Sequence, residues 1–193
     1  MKFHFKDNKK GFTLIEVTIA LVIISMMVVV LGDMYMNGTI SSGKEMRKSK
    51  LQVESKSVLE GINENVKLSA KVGEAYAGYT GGATTLILDI PAIDNSDIFL
   101  YSGSQKVYDH IIYYIEGSNL HKLVLSDNVS SRLHGQNNLD QVILDNVSSL
   151  VFSYDQAPPS STMVNTSLTI QNTGQGQTQT INVTAEAKRR NSE

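Results

Sequence analysis

The N-terminal run of apolar residues constrains this chain more than any other feature of its sequence. Residues 12–31 form a run of 20, and from Val17 onward only Thr18 and Ser25 are polar. As an α-helix rising about 1.5 Å per residue, the run would reach roughly 30 Å, the thickness of the hydrocarbon core of a bilayer. Both hydroxyls can hydrogen-bond back to the helix backbone, so neither prevents insertion. The run therefore predicts a single membrane-spanning helix.

The residues before the run differ from a secretory signal. The leader is basic and contains Lys2, Lys6, Lys9 and Lys10. A positive end followed by an apolar run is typical of export or insertion signals whose N-terminus stays in the cytoplasm. A secretory signal is cut after its apolar region, whereas the suitable small residue here, Gly11, lies before it. A cut after Gly11 would remove the leader and keep the helix.

Glu16 is an acidic residue inside the apolar run. A carboxylate in a membrane helix costs about 2–3 kcal/mol on insertion scales, and less near the interface. A cut after Gly11 would make Phe12 a free, positively charged amino terminus about one helical turn from Glu16. That charge could offset the cost within one chain or between neighbouring chains of a bundle. An uncleaved signal anchor with an incidental glutamate is the alternative.

Residues 10–17, Lys-Gly-Phe-Thr-Leu-Ile-Glu-Val, resemble the type IV prepilin motif. The resemblance implies that a membrane aspartyl prepilin peptidase cuts between Gly11 and Phe12 and methylates the new terminal amine of Phe12. It also implies that Glu16, the fifth residue of the processed chain, serves filament assembly. The chain departs from many major pilins in having Gly32-Asp33 where they have a proline.

The rest of the chain predicts an α+β fold of the pilin-like type, a long helical spine packed on a mainly antiparallel sheet. Apolar residues after the membrane segment recur at helical spacing and predict an amphipathic helix; they are Leu51, Val58, Leu59, Ile62, Val66 and Ala70. Glycines between 73 and 82 end this helix. About seven later runs are rich in β-branched and aromatic residues, with no helical pattern between them. The predicted organisation is a leader at 1–11, a membrane or filament-core helix at 12–32, an amphipathic second half at 33–72 and a β-rich globular domain at 83–193.

The order of the predicted strands also resembles a subgroup. Residues 113–125, YYIEGSNLHKLVL, predict a hairpin, and the last strands end in Lys188-Arg189-Arg190. This order resembles the minor pilins and J-type minor pseudopilins, which favours a low-copy subunit over the main fibre protein. We interpret the basic end as solvated, and the polar segments 126–138 and 158–162 as mobile loops.

No pattern in the sequence indicates catalysis or a metal. The absence of cysteine excludes disulfides, thiolate zinc sites and cysteine nucleophiles. The four histidines are not spaced as metal ligands, and no nucleophile-elbow or phosphate-loop motif occurs. Residues 94–97, Asp-Asn-Ser-Asp, could offer oxygens to calcium, but they lack the glycine and distal glutamate of an EF-hand loop, so a solvated turn is preferred. We expect no enzyme activity, no metal and no cofactor.

The resemblance implies a structural subunit of a type IV pilus or related pseudopilus. The subunit would be anchored in the cytoplasmic membrane, with its N-terminus inside, before it enters an extracytoplasmic filament. Its partners would be the prepilin peptidase, other pilin or pseudopilin subunits and the membrane. The alternative is a binding module at the filament tip that contacts DNA or a surface receptor. A net charge of −2 argues against a general nucleic-acid binder. Pilus, secretion and DNA-uptake systems all stay open.

Overall fold

A long helix followed by antiparallel strands makes up the described part of the chain, which confirms the predicted α+β, pilin-like architecture. The computed structural model describes residues 12–102, 104–132, 138–174 and 177–190. The chain divides into two units, Met1–Arg47 and Lys48–Glu193. The elements are α1 (Leu14–Leu68), β1 (Lys71–Val72), β2 (Ala75–Tyr76), β3 (Tyr79–Thr80), β4 (Leu86–Pro91), β5 (Tyr101–Ser102), β6 (Gln105–Lys106), β7 (Tyr108–Glu116), β8 (Asn119–Leu125), β9 (Asn138–Leu144), β10 (Val147–Tyr154), β11 (Met163–Gly174) and β12 (Gln177–Lys188).

In the first unit, α1 carries apolar side chains around its whole circumference from Leu14 to Leu31. The large apolar side chains from Leu14 to Leu31 are exposed on every face. The helix continues through Gly32, Gly38 and Gly43 without a break, although each glycine in a helix costs about 1 kcal/mol relative to alanine. An exposed helix of this kind requires apolar surroundings.

In the second unit, the rest of α1 buries one stripe of side chains. The members follow one another at steps of three or four residues and are Leu51, Ser55, Leu59, Ile62 and Val66. The sequence predicted all of them except Ser55, because a serine gives no hydrophobic signal. Its hydroxyl donates to the carbonyl oxygen of Leu51, which satisfies it inside the core. Burial of each large apolar side chain contributes about 1.5–3 kcal/mol.

A five-stranded antiparallel sheet, in the order β1-β4-β7-β8-β9, shares its core with this stripe. Strand β7 buries Ile111 and Tyr113, and the Tyr113 hydroxyl accepts a hydrogen bond of 2.6 Å from Asn65 Nδ2 on the helix. The predicted hairpin at 113–125 is confirmed by the pairing of Tyr113 with Lys122. Gly117 has a φ of 63° in the turn, a conformation that glycine adopts at little cost.

A separate three-stranded sheet, in the order β10-β11-β12, contributes its buried side chains to the same core. Along β11, the buried residues Val164, Leu168 and Ile170 alternate with more exposed polar ones. Strands β11 and β12 pair along their length from Met163 to Gly174. The hydroxyls of Thr173 and Thr178 lie 3.1 Å apart and continue the pairing there.

Strands β2 and β3 form a small hairpin, where the glycines predicted only a break after the helix. Two glycines allow the chain to pass close to its neighbours. A Cβ on Gly73 would lie 2.7 Å from Ile87 Cγ2, and one on Gly81 would lie 2.6 Å from the carbonyl oxygen of Gly73. The hairpin stacks the ring of Tyr76 on that of His110, with centroids 3.5 Å apart.

A buried carboxylate holds the segment that follows β8. Asp109 is fully buried and accepts hydrogen bonds from Ser126 Oγ (3.1 Å), Asp127 N (2.9 Å), Ser130 Oγ (2.8 Å) and Arg132 Nε (2.7 Å). The predicted mobile loop 126–138 is therefore anchored over 126–132, because a buried charge requires partners and this segment supplies them. Residues 133–137 lie outside the described part of the chain.

The basic C-terminal segment differs from its prediction at Arg189. Its side chain is buried, and its Nη1 donates to the carbonyl oxygen of Ala70 at 2.5 Å. The backbone N–H of Arg190 donates to the carbonyl oxygen of Lys67 at 3.2 Å. The interpretation as a solvated end is wrong for Arg189, because its guanidinium bonds to a backbone carbonyl oxygen just after the helix. The N–H of Arg190 satisfies one of the carbonyl oxygens that the end of the helix leaves without a donor. Lys188 and Arg190 are exposed, as expected.

Candidate functional site

Helix α1 begins just after the predicted cleavage position. Phe12 and Thr13 precede the first helical residue, Leu14, and the Phe12 side chain is exposed. Gly11 and the leader lysines, Lys2, Lys6, Lys9 and Lys10, lie outside the described residues. Glu16 lies in the first turn of the helix. The structure thus places the predicted methylated residue before the helix and the predicted assembly residue at its start.

Thr13 and Glu16 form a reciprocal pair of hydrogen bonds known as a capping box. The backbone N–H of Thr13 donates to Glu16 Oε2 at 2.9 Å, and the backbone N–H of Glu16 donates to Thr13 Oγ1 at 3.3 Å. The Thr13 hydroxyl also donates to Glu16 Oε2 at 3.0 Å. These bonds satisfy N–H groups that the start of a helix leaves unpaired. The spacing Thr-x-x-Glu signals this motif in the sequence, but only the charge of Glu16 entered the prediction, and Thr13 was missed.

The Glu16 carboxylate keeps the capacity for a second partner. Both hydrogen bonds from Thr13 end on Oε2, and within the described ranges Oε1 accepts none. The side chain is exposed, and it lies at the positive end of the helix dipole, which favours a negative charge. A cation could therefore bind at Oε1 without displacing Thr13. The role of Glu16 in assembly and cleavage between Gly11 and Phe12 stay predictions.

The helix that follows the capping box fits a membrane. Of the described elements, α1 is long and apolar enough to cross a bilayer, judged by length and composition. Its two polar interruptions bond internally, as predicted: Thr18 Oγ1 donates to Leu14 O at 2.9 Å, and Ser25 Oγ donates to Val22 O at 2.8 Å. The helix therefore presents few unsatisfied polar groups to lipid.

Residues 6–32 match the family model of the prokaryotic N-terminal methylation motif. The N-terminal segment is a type IV prepilin-like signal. This prepilin-like signal contains the capping box and the whole apolar run, and the match does not extend into the second unit. No curated protein matches the chain in a sequence comparison. The signal supports a type IV pilin-like or pseudopilin-like subunit, and with the apolar helix it is consistent with membrane anchoring.

His110 and His121, the two histidines that the structure describes, each pair with a carboxylate. His110 Nδ1 lies 2.8 Å from Asp89 Oδ1, and His121 Nδ1 lies 3.2 Å from Asp140 Oδ1. In the part of the chain that the structure describes, no group of three or more His, Asp or Glu side chains could hold a metal ion. His4 and His134 lie outside that part. Each pair links two neighbouring strands, so a contribution to the stability of the sheet accounts for both.

The turn at 94–97 is held by hydrogen bonds to the carboxylate of its first residue. Asp94 Oδ1 accepts hydrogen bonds from the backbone N–H groups of Ser96 at 2.7 Å and Ile98 at 2.9 Å. An aspartate that bonds the backbone N–H two residues later forms an Asx turn, and the bond to Ile98 extends it. This arrangement agrees with the preferred interpretation as a turn.

Proposed function

We propose that the chain is a low-copy structural subunit of a type IV pilus or related pseudopilus, cleaved between Gly11 and Phe12 and assembled through α1. The observation that carries the proposal is the prepilin-like signal at 6–32, followed by a helix with a carboxylate in its first turn and apolar side chains on every face. A low copy number is supported only by the likeness of the strand order to minor pilins. The subunit has no catalytic role in this proposal.

The geometry at the start of α1 suits transfer from a membrane to a helical bundle. In the membrane, with the N-terminus inside, Glu16 lies near the headgroups, where water and its bonds to Thr13 lower the cost of its charge. In a filament core, the amine of a neighbouring subunit's Phe12 can approach Oε1. A buried pair of this kind need not add net stability. Its role would be to fix the axial register of one subunit against the next.

Substitution of Glu16 tests the assembly step. Glu16→Gln keeps the shape and removes the charge, and Glu16→Val favours membrane insertion. Both variants should still be inserted and cleaved, but their amount in sheared filaments, relative to the membrane, should fall strongly. Asp33→Asn is the matched control, because it removes an exposed carboxylate further along the same helix and should assemble normally. Normal incorporation of Glu16→Val would show that the carboxylate is not needed.

The processing step has its own test. Mass spectrometry of protein from cells that contain the peptidase should show a chain that begins at N-methylated Phe12. Gly11→Ala should be tolerated and larger substitutions should block cleavage, since the peptidase must approach the backbone closely. An intact Met1 in such cells contradicts this part of the proposal. Gold labels along the whole fibre, rather than sparse labels or labels at its ends, would contradict a low-copy role.

A further inference from the structure

The outward face of the three-stranded sheet is nearly free of charge. Its outward positions between 149 and 188 are mostly serine, threonine, asparagine and glutamine, and the charged ones are Glu186 and Lys188 at one end. The surface of a soluble domain is ordinarily about 25–35% charged. A broad face of neutral hydrogen-bonding groups is suited to a ligand that is itself neutral and rich in hydrogen-bonding groups.

A shallow, open cavity of about 530 Å³ lies on this face. The strand register places its outward lining residues in two rows, Val151, Ser167 and Thr184 in one and Ser153, Asn165 and Glu186 in the other. The first row has an apolar side chain at one end and two hydroxyls. The second has a hydroxyl, an amide and a carboxylate.

The polar side chains of the two rows have unused hydrogen-bonding capacity. None of the five bonds to another described residue, whereas Thr173 and Thr178 on the same face bond to each other. Hydroxyls and an amide both donate and accept, and a carboxylate accepts strong hydrogen bonds from neighbouring hydroxyls. Val151 is 43% exposed beside them and offers a small apolar contact. The lining contains no Lys or Arg, so it does not suit a phosphate or a nucleic acid, and its single carboxylate does not suit a metal ion.

We propose that this cavity binds a neutral oligosaccharide. Glu186 would accept hydrogen bonds from two adjacent sugar hydroxyls, and Asn165 would donate and accept beside it. Val151 would contact the apolar face of a pyranose ring. The proposal does not depend on the filament role, since every lining residue lies in the second unit.

Calorimetric titration of the full-length chain tests the proposal. The protein is held in a zwitterionic detergent without a sugar headgroup and titrated with lactose, cellobiose and N,N′-diacetylchitobiose. At least one of these should bind saturably. Asn165→Ala and Glu186→Gln should each weaken that binding about tenfold, since each removes hydrogen bonds to the ligand. Asn182→Ala is the matched control, because it removes the same side chain from the same face outside the cavity and should bind as the native chain does.

Three results would overturn the proposal. They are the absence of saturable binding by all three sugars, an equal loss of binding in Asn182→Ala and Asn165→Ala, and tighter binding of a DNA oligonucleotide than of any sugar. Thermal unfolding of each variant is the control that tests whether its domain is folded. Asn165→Ala should enter filaments normally, so failure of sugar binding and failure of assembly are distinguishable.

Discussion

Removal of the Asp109 carboxylate should destabilise the second unit far more than removal of an exposed charge. Asp109→Ala leaves the donors of the segment 126–132 without their acceptor. One of them is the guanidinium of Arg132, whose side chain is only 24% exposed. That cation would be left without a counter-charge in a site that water reaches poorly.

The magnitude follows from the burial of the pair. Removal of one partner of a buried ion pair costs about 3–5 kcal/mol, because the other charge stays buried without compensation. For a domain of this size, each kcal/mol lowers the unfolding temperature by about 2–4 °C, so a decrease of about 6–20 °C is expected. Substitution of both residues, Asp109→Leu with Arg132→Met, should cost less than Asp109→Ala alone, because no charge is left buried.

Urea unfolding of the chain from Met46 onward, followed by circular dichroism, gives these free energies. Asp140→Ala is the control: this carboxylate is 44% exposed and accepts a hydrogen bond from Tyr114, and its loss should cost less than about 1 kcal/mol. If Asp109→Ala and Asp140→Ala lower the free energy of unfolding equally, the buried pair does not anchor the segment, and the reasoning fails.

Two further predictions concern the second unit. The chain from Met46 onward should be soluble and give a mixed helix and strand spectrum without metal, because its remaining helix buries one apolar stripe; an unfolded product would mean that the domain needs its anchor or a partner. The pKa of Asp155 lies well below its usual range, because the Thr162 hydroxyl, the backbone N–H of Met163 and the Ser161 hydroxyl donate to the carboxylate. Its contribution to stability is therefore complete above the ordinary aspartate pKa of about 3.9 and is lost as the pH falls toward the lowered value. Asp155→Asn should make the urea midpoint less dependent on pH in that acidic range, and an unchanged pH dependence would contradict this.

The parts of the fold that the sequence predicted depend on local patterns. The apolar run, the helical stripe from Leu51 to Val66 and the hairpin at Gly117 each come from residues close together in the chain, so periodicity and turn chemistry suffice. The capping box was visible in the same way, because Thr13 and Glu16 stand at the required spacing. It was missed because the charge of Glu16 already had an explanation.

The features that escaped prediction depend on partners distant in sequence. Asp109 is an acidic residue in an apolar strand, and its acceptor role becomes clear only when Arg132, 23 residues later, is placed beside it. Arg189 bonds to Ala70 across 119 residues, so its sequence suggested only a charged end. The β2–β3 hairpin has strands of two residues each, too short for an alternating pattern to be recognised.

The bonds of Arg190 to Lys67 in α1 and of Arg189 to Ala70 just after it have a mechanical consequence. A pull along the helix would reach the domain by two routes, through the chain into β1 and through these bonds into β12. At that point Lys188 is paired with Met163, the first of twelve residue pairs that join β12 to β11. Tension entering there would be shared by a long hydrogen-bonded ladder instead of being concentrated on the short connection after the helix. If the chain stands in a fibre, a pull on α1 would therefore be distributed over β11 and β12 at this junction.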